Sequence, residues 1–237
     1  MYCDIINLSM SKKPSPKTKP KKKFNLLDWA FIAIGLIVSI YILIFYHENP
    51  PLYTIVSVIA LNGGIIGTVL SIKGYKINFI FSFIESFACG YTSQVNHFFG
   101  NAVINVFFYA PCMILGYFLW GKHQSKDKKV IARKLTPVQI AISIVIFIVA
   151  TAVLNLILTT FDGNQTILDS SGTVLVTFAT ILSILRYRET WLVWLLCDIL
   201  QLLLWTTTND PALLTLRIFF PISALYGYIY WKKLLKK

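Results

Sequence analysis

Long apolar runs alternate with short polar breaks along almost the whole chain. The runs cover 24–46, 52–72, 77–95, 100–121, 136–159, 166–185, 189–207 and 211–231. A hydrocarbon layer of ~30 Å needs about 20 helical residues, and each run is near that length. They are continuously apolar rather than alternating at every second residue, which predicts helices and argues against a β-barrel. The predicted fold is an all-α integral membrane protein with eight transmembrane helices. The first run is too long for the apolar region of a signal peptide, and "HENPP" after it is a poor cleavage site.

Polar residues inside such runs are costly unless paired or facing water, so they point to function. In "RYRETWLVWLLCDILQLLLW", Trp191, Trp194, Asp198, Gln201 and Trp205 recur at three- and four-residue steps. At helical pitch they share one face. Asn101, Asn105 and Phe108 fall at i, i+4 and i+7 and read as a second such face. Amides there either bind neighbouring helices or, beside an aromatic, offer donors, acceptors and a stacking surface to a flat ligand. Glu85 and Asp198 sit at similar depth in their helices, and Arg217 lies in the outer half of the last one. Arg217 either pairs with one of the acids or leaves them facing a path. Trp29, Trp120 and Trp231 read as interfacial anchors, a role also open to Trp191; Trp194 sits too deep for it.

Composition agrees with the pattern. Of 237 residues, 56% are hydrophobic and only 14% charged, with a mean hydropathy of +0.67. The net charge of +12 would suit nucleic acid, but its placement excludes that. Twenty-one of the 22 basic residues fall in the N-terminal tail, the alternate loops beginning at Lys73, Lys122 and Arg186, and the C-terminus. The positive-inside rule then places both termini in the cytoplasm of a bacterial cell, with the helices in its plasma membrane. The tail 1–23 and the end 232–237 read as topology signals in contact with anionic lipid. Met10 is a second plausible start. Cys3, Cys89, Cys112 and Cys197 are scattered and read as packing residues, so neither a metal nor another cofactor is expected.

The chain also repeats itself. "LSIKGYKINFIFSFIE" from Leu70 matches "LSILRYRETWLVWLLCD" from Leu182 at an offset of 112, and "PCMILGYFLWGK" matches "PISALYGYIYWKK". The predicted organisation is a first three-helix unit at 52–121, a linker helix at 136–159 and a second unit at 166–231. An extra N-terminal helix, 24–46, precedes them. One linker crossing gives the two units the same orientation, a parallel 3+1+3 repeat as in SWEET-type sugar transporters. Pro111 and Pro221, at matched places in the third helix of each unit, each remove a backbone hydrogen bond and are the expected hinges.

At these residues the chain resembles the PnuC-type bacterial vitamin transporters. The resemblance rests on the W-x-x-W of Trp191 and Trp194 followed by Asp198, on N-x-x-x-N-x-x-F at Asn101, Asn105 and Phe108, and on the Gly-Tyr-x-x-Trp ends of both units. It covers helices 2 to 8. It implies uptake of nicotinamide riboside by facilitated diffusion, made directional by phosphorylation in the cytosol. The implied substrate-binding residues are Trp191, Trp194, Asp198, Gln201, Asn101, Asn105 and Phe108. Gly100 stands where the family pattern leads one to expect an aromatic or glutamine, which leaves thiamine, riboflavin and deoxyribonucleosides open as substrates. A proton-coupled version would use Asp198 or Glu85. Related architectures associate into trimers, so a homotrimer is an open expectation. An enzyme is not expected: no H-E-x-x-H, Asp-rich metal motif or Ser/His/Asp set lies at membrane depth.

Overall fold

The computed structural model describes residues 24–45, 50–97, 99–160, 166–205 and 211–235. The basic tail with Met10, the segments 46–49, 161–165 and 206–210, and the final lysines lie outside the described residues, as do the side chains of Gln201 and Trp205. Among the described residues the chain is helical, without strands. The elements are α1 (Leu26–Phe45), α2 (Pro51–Ile72), α3 (Asn78–Val95), α4 (Phe99–Val103), a π-helical segment (Ile104–Tyr109), α5 (Ala110–Lys122), α6 (Pro137–Thr159), α7 (Thr166–Ile184), α8 (Thr190–Trp205) and α9 (Pro211–Leu234). Five spans among them are long and apolar enough to cross a membrane: Leu26–Phe45, Pro51–Lys73, Asn101–Lys122, Pro137–Thr159 and Pro211–Lys232.

The helices pack in a closed ring. α2 lies against α3, α3 against α5, α5 against α7, α7 against α8, α8 against α9, and α9 returns to α2. Small residues let α2 and α3 approach closely: a Cβ on Gly63 would stand 3.3 Å from the Phe81 carbonyl, and one on Gly67 2.9 Å from Ser82 Oγ. This is how helices associate where lipid supplies no hydrophobic drive. α1 lies along α2 and also touches α9, whereas α6 packs on α7. No α6 residue is buried; its isoleucines and valines form an apolar face suited to lipid. Its start is fixed by a capping box, in which Thr136 accepts from the Gln139 N–H and Gln139 reaches back to the Thr136 N–H, with Pro137 in the first turn.

The basic segments meet at one end of this ring. α2 and α7 end in the same Schellman turn. The Tyr75 N–H donates to the Leu70 carbonyl at 3.0 Å and the Tyr187 N–H to Leu182 at 2.9 Å. The N–H groups of Gly74 and Arg186 donate to Ser71 and Ser183, both at 2.9 Å. Gly74 has φ 78° and Arg186 φ 68°, so the left-handed position is held by glycine in one turn and arginine in the other. The linker between α5 and α6 crosses both turns: the Val130 N–H donates to the Gly74 carbonyl and the Arg133 N–H to the Arg186 carbonyl, each at 2.8 Å.

At the same end α1 is tied in by a buried ion pair. Lys73 Nζ lies 2.6 Å from Asp28 Oδ2, with both side chains almost fully buried. Lys73 also donates to the Tyr226 hydroxyl at 2.8 Å, which donates to Asp28 Oδ1 at 3.1 Å and accepts from Asn25 at 2.8 Å. The Lys73 ammonium sits over the rings of Tyr226 and Tyr230. Asn25 and Asp28 cap α1 reciprocally, each side chain accepting from the other's backbone N–H at 3.0 and 2.6 Å. The sequence pattern counts Lys73 among solvent-facing loop lysines; the fold buries it instead.

Candidate functional site in the ring interior

Charged and aromatic side chains from opposite halves of the chain converge inside the ring. Asp198 on α8 is 4% exposed. Glu85 on α3 lies against α2, where a Cβ on Gly64 would come within 2.9 Å of its Oε1. Gly64 therefore makes room for the carboxylate. Arg217 on α9 lies within electrostatic reach of both acids, and Glu85 also feels Asp198. The Arg217 guanidinium also sits over the Phe220 ring, 5.9 Å from its centroid. Two acids and one arginine, from three helices, thus form one electrostatic group.

Tyr109 joins them. It is surrounded by Glu85, Cys89, Asp198 and Cys197, and its ring meets Trp194 edge-on at 6.0 Å, 86°. Glu85 and Tyr109 are both part-buried. Their remaining accessible surface, together with Trp194 in contact with Tyr109, makes up the candidate binding surface, or hollow, between the helices.

The chain reaches this surface through the π-helical segment Ile104–Tyr109, which ends where Pro111 begins to act. Pro111 has no N–H and its ring would crowd the carbonyl four residues back. The wider turn relieves this: the Ala110 N–H donates to Asn105, five residues back. Gly90 of α3 admits the widened turn, since a Cβ there would stand 2.6 Å from Val106 Cγ2. Such π-bulges recur at functional sites. The segment also alters the spacing argument, because α-helical pitch holds from Asn101 only as far as Val103, and both Asn105 and Phe108 lie within the altered turn. Asn101, Asn105 and Phe108 are half-buried, and the Asn105 amide donates to the Asn101 carbonyl at 2.8 Å.

Trp191 belongs to a separate aromatic group nearer the basic end. It packs on α9, where a Cβ on Gly227 would come within 2.5 Å of its ring. It meets Trp231 edge-on at 5.8 Å, Trp231 meets Trp120 at 5.6 Å, and Trp120 meets Phe79 at 4.8 Å. Phe79 in turn packs tightly on Gly116. The Trp120 indole N–H donates to the Ser183 carbonyl at 3.0 Å, and that of Trp231 to Ser71 and Ile72 at 3.2 and 3.1 Å. The Trp191 indole nitrogen is buried with no protein acceptor. Trp120 and Trp231 are fully buried, which corrects their reading as interfacial anchors; Trp29, 59% exposed, remains compatible with that role. Glycine four residues before each tryptophan was the available signal: it marks a helix face that accepts a large ring.

Comparison with known proteins identifies the family. The profile of the nicotinamide mononucleotide transporter family matches residues 54–233. The chain belongs to that family. It is therefore a multi-pass membrane transporter rather than an enzyme. The nicotinamide riboside transporter PnuC of Haemophilus influenzae is 33% identical over 195 residues, covering 81% of this chain and 84% of that protein. That of Neisseria mucosa is 28% identical over 221 residues, covering 88% and 81%. A crystal structure of the vitamin B3 transporter PnuC superposes with a TM-score of 0.79 at 26% identity, covering 90% of this chain and 93% of that one.

Proposed function

We propose that this protein takes up nicotinamide riboside by facilitated diffusion and that phosphorylation in the cytosol traps the product. The observation that carries the reading is the Trp194–Tyr109 pair on the wall of the hollow, with buried Asp198 one helical turn beyond Trp194. Aromatic faces and a carboxylate suit a flat, cationic pyridinium ring. Trp194, with Trp191 or Phe108, encloses the base, and the unpartnered Trp191 indole offers a donor. Asn101, Asn105, Asp198 and Gln201 bind the ribose hydroxyls or the carboxamide.

Two parallel three-helix units, 52–121 and 166–231, joined by the linker helix 136–159, supply the alternating path, with Pro111 and Pro221 as hinges. The matched turns at Gly74 and Arg186 support this, as do the reciprocal bonds from Trp120 to Ser183 and from Trp231 to Ser71. Eight crossings put both termini and the basic end in the cytoplasm, and the lipid-suited face of α6 leaves room for a homotrimer. Calorimetry of the purified protein with nicotinamide riboside, thiamine and a deoxyribonucleoside tests the site. Saturable binding of the first, weakened in Trp194→Ala, is expected. Binding of another compound alone moves the substrate and keeps the site.

A further inference from the structure

In a six-membered ring ordered α2, α3, α5, α7, α8, α9, the helices α5 and α9 stand opposite one another. Their C-terminal tryptophans nevertheless touch, Trp120 against Trp231 at 5.6 Å between ring centroids. Two side chains from opposite walls that meet, here tilted at 52°, close whatever passage the ring encloses at that level. Phe79 from α3 and Trp191 from α8 extend the contact on either side, so four rings from four helices fill the section. All four are at most 7% exposed.

We propose that this aromatic plug is the gate at the basic end of the passage, with Trp120 and Trp231 as its two leaves. The inference rests on the ring interior being the path and is independent of which substrate uses it. Each leaf is held by its indole N–H to a carbonyl across a seam between the halves: Trp120 to Ser183 on α7, Trp231 to Ser71 and Ile72 on α2. Gly116 and Gly227, each four residues before a leaf, seat Phe79 and Trp191 flush with the helix. Parting Trp120 from α7 breaks a neutral hydrogen bond and ring contacts; parting Trp231 from α2 also loosens the charged contacts that Lys73 makes with Tyr226 and Tyr230 across the same seam. Among the described residues, the ion pair of Asp28 with Lys73 joins α1 to α2, and that of Arg188 with Glu189 lies within the segment leading into α8, so neither pair itself spans a seam between the leaves. Pro221, ten residues before Trp231, interrupts the α9 backbone between the leaf and the outer half of the helix.

The experiment reads accessibility, so it needs no substrate. A single cysteine replaces Tyr109 on the hollow wall, with Cys3, Cys89, Cys112 and Cys197 changed to serine. A membrane-impermeant maleimide is then applied to oriented vesicles from the basic side and, separately, from the other side. The gate predicts slow labelling from the basic side and at least tenfold faster labelling from that side alone in Trp231→Ala. Trp120→Phe and Trp231→Phe keep the rings but lose the seam bonds, and they should label several-fold faster. If the alanine variant does not fold, these two carry the test. Unchanged rates in the folded variants, or equal acceleration from both sides, would overturn the proposal.

Discussion

The carbonyls of Gly74 and Arg186, 112 positions apart, are bound by one linker: Val130 reaches the first and Arg133 the second, both at 2.8 Å. The two turns are the same device, but only one carries the residue that its backbone favours. An L side chain at a left-handed position costs roughly 1–2 kcal/mol, partly offset by the chain entropy that glycine loses on folding. Burial and the neighbouring Arg133 also hold the Arg186 guanidinium below its ordinary pKa. Arg186→Gly should therefore stabilise the protein by about 0.5–1 kcal/mol, read as a higher thermal midpoint in detergent. Gly74→Ala should lower the midpoint.

Asp28 and Lys73 predict a non-additive pair. Removing one partner of a buried ion pair leaves an uncompensated charge and costs roughly 3–5 kcal/mol, whereas replacing both is often nearly neutral. Lys73→Met alone should sharply reduce thermal stability. Asp28→Asn combined with Lys73→Met should recover more than half of that loss. Additive losses would mean that the two side chains do not act as one unit.

Gly227 is the seat of Trp191. A methyl group there would stand within 2.5 Å of the indole, and overpacking of this kind costs roughly 1–3 kcal/mol. Gly227→Ala should lower stability by that order and shift the tryptophan fluorescence. A Trp191→Phe background, with a smaller ring, should soften both effects.

How far the sequence reaches differs from element to element. Apolar runs long enough for a bilayer announce an all-helical chain, because lipid leaves the backbone few alternatives, and five spans among the described residues have the length and apolarity to cross. The described basic residues of the α2–α3, α5–α6 and α7–α8 connections gather at one end of the ring, yet Lys73 is buried there, because Asp28, far away in the chain, reaches it. The partner of Asp28 was not legible, because no local pattern links it to Lys73. Periodicity puts Asn101 and Asn105 on one helix face, but the π-turn through Phe108 depends on Pro111 and on the room that Gly90 leaves for Val106, and no repeat of apolar residues encodes that. Trp120 and Trp231 stand beside lysines at helix ends, where composition alone favours an interfacial anchor. Only the ring geometry turns them inward.

Trp194 should matter more to binding than any other single residue in the hollow. Base-on-aromatic stacking contributes roughly 1–3 kcal/mol, so Trp194→Ala should weaken nicotinamide riboside binding about tenfold to a hundredfold by calorimetry. Trp194→Phe should retain most of the affinity.

The most direct measurement is uptake of labelled nicotinamide riboside into proteoliposomes with no ion gradient. Facilitated diffusion through the hollow predicts saturable uptake that stops at equal concentrations on both sides. An imposed proton gradient should not change it, and Trp194→Ala should abolish it. Accumulation above the outside concentration under a proton gradient, with no uptake in its absence, would contradict the account and turn attention to Asp198 and Glu85.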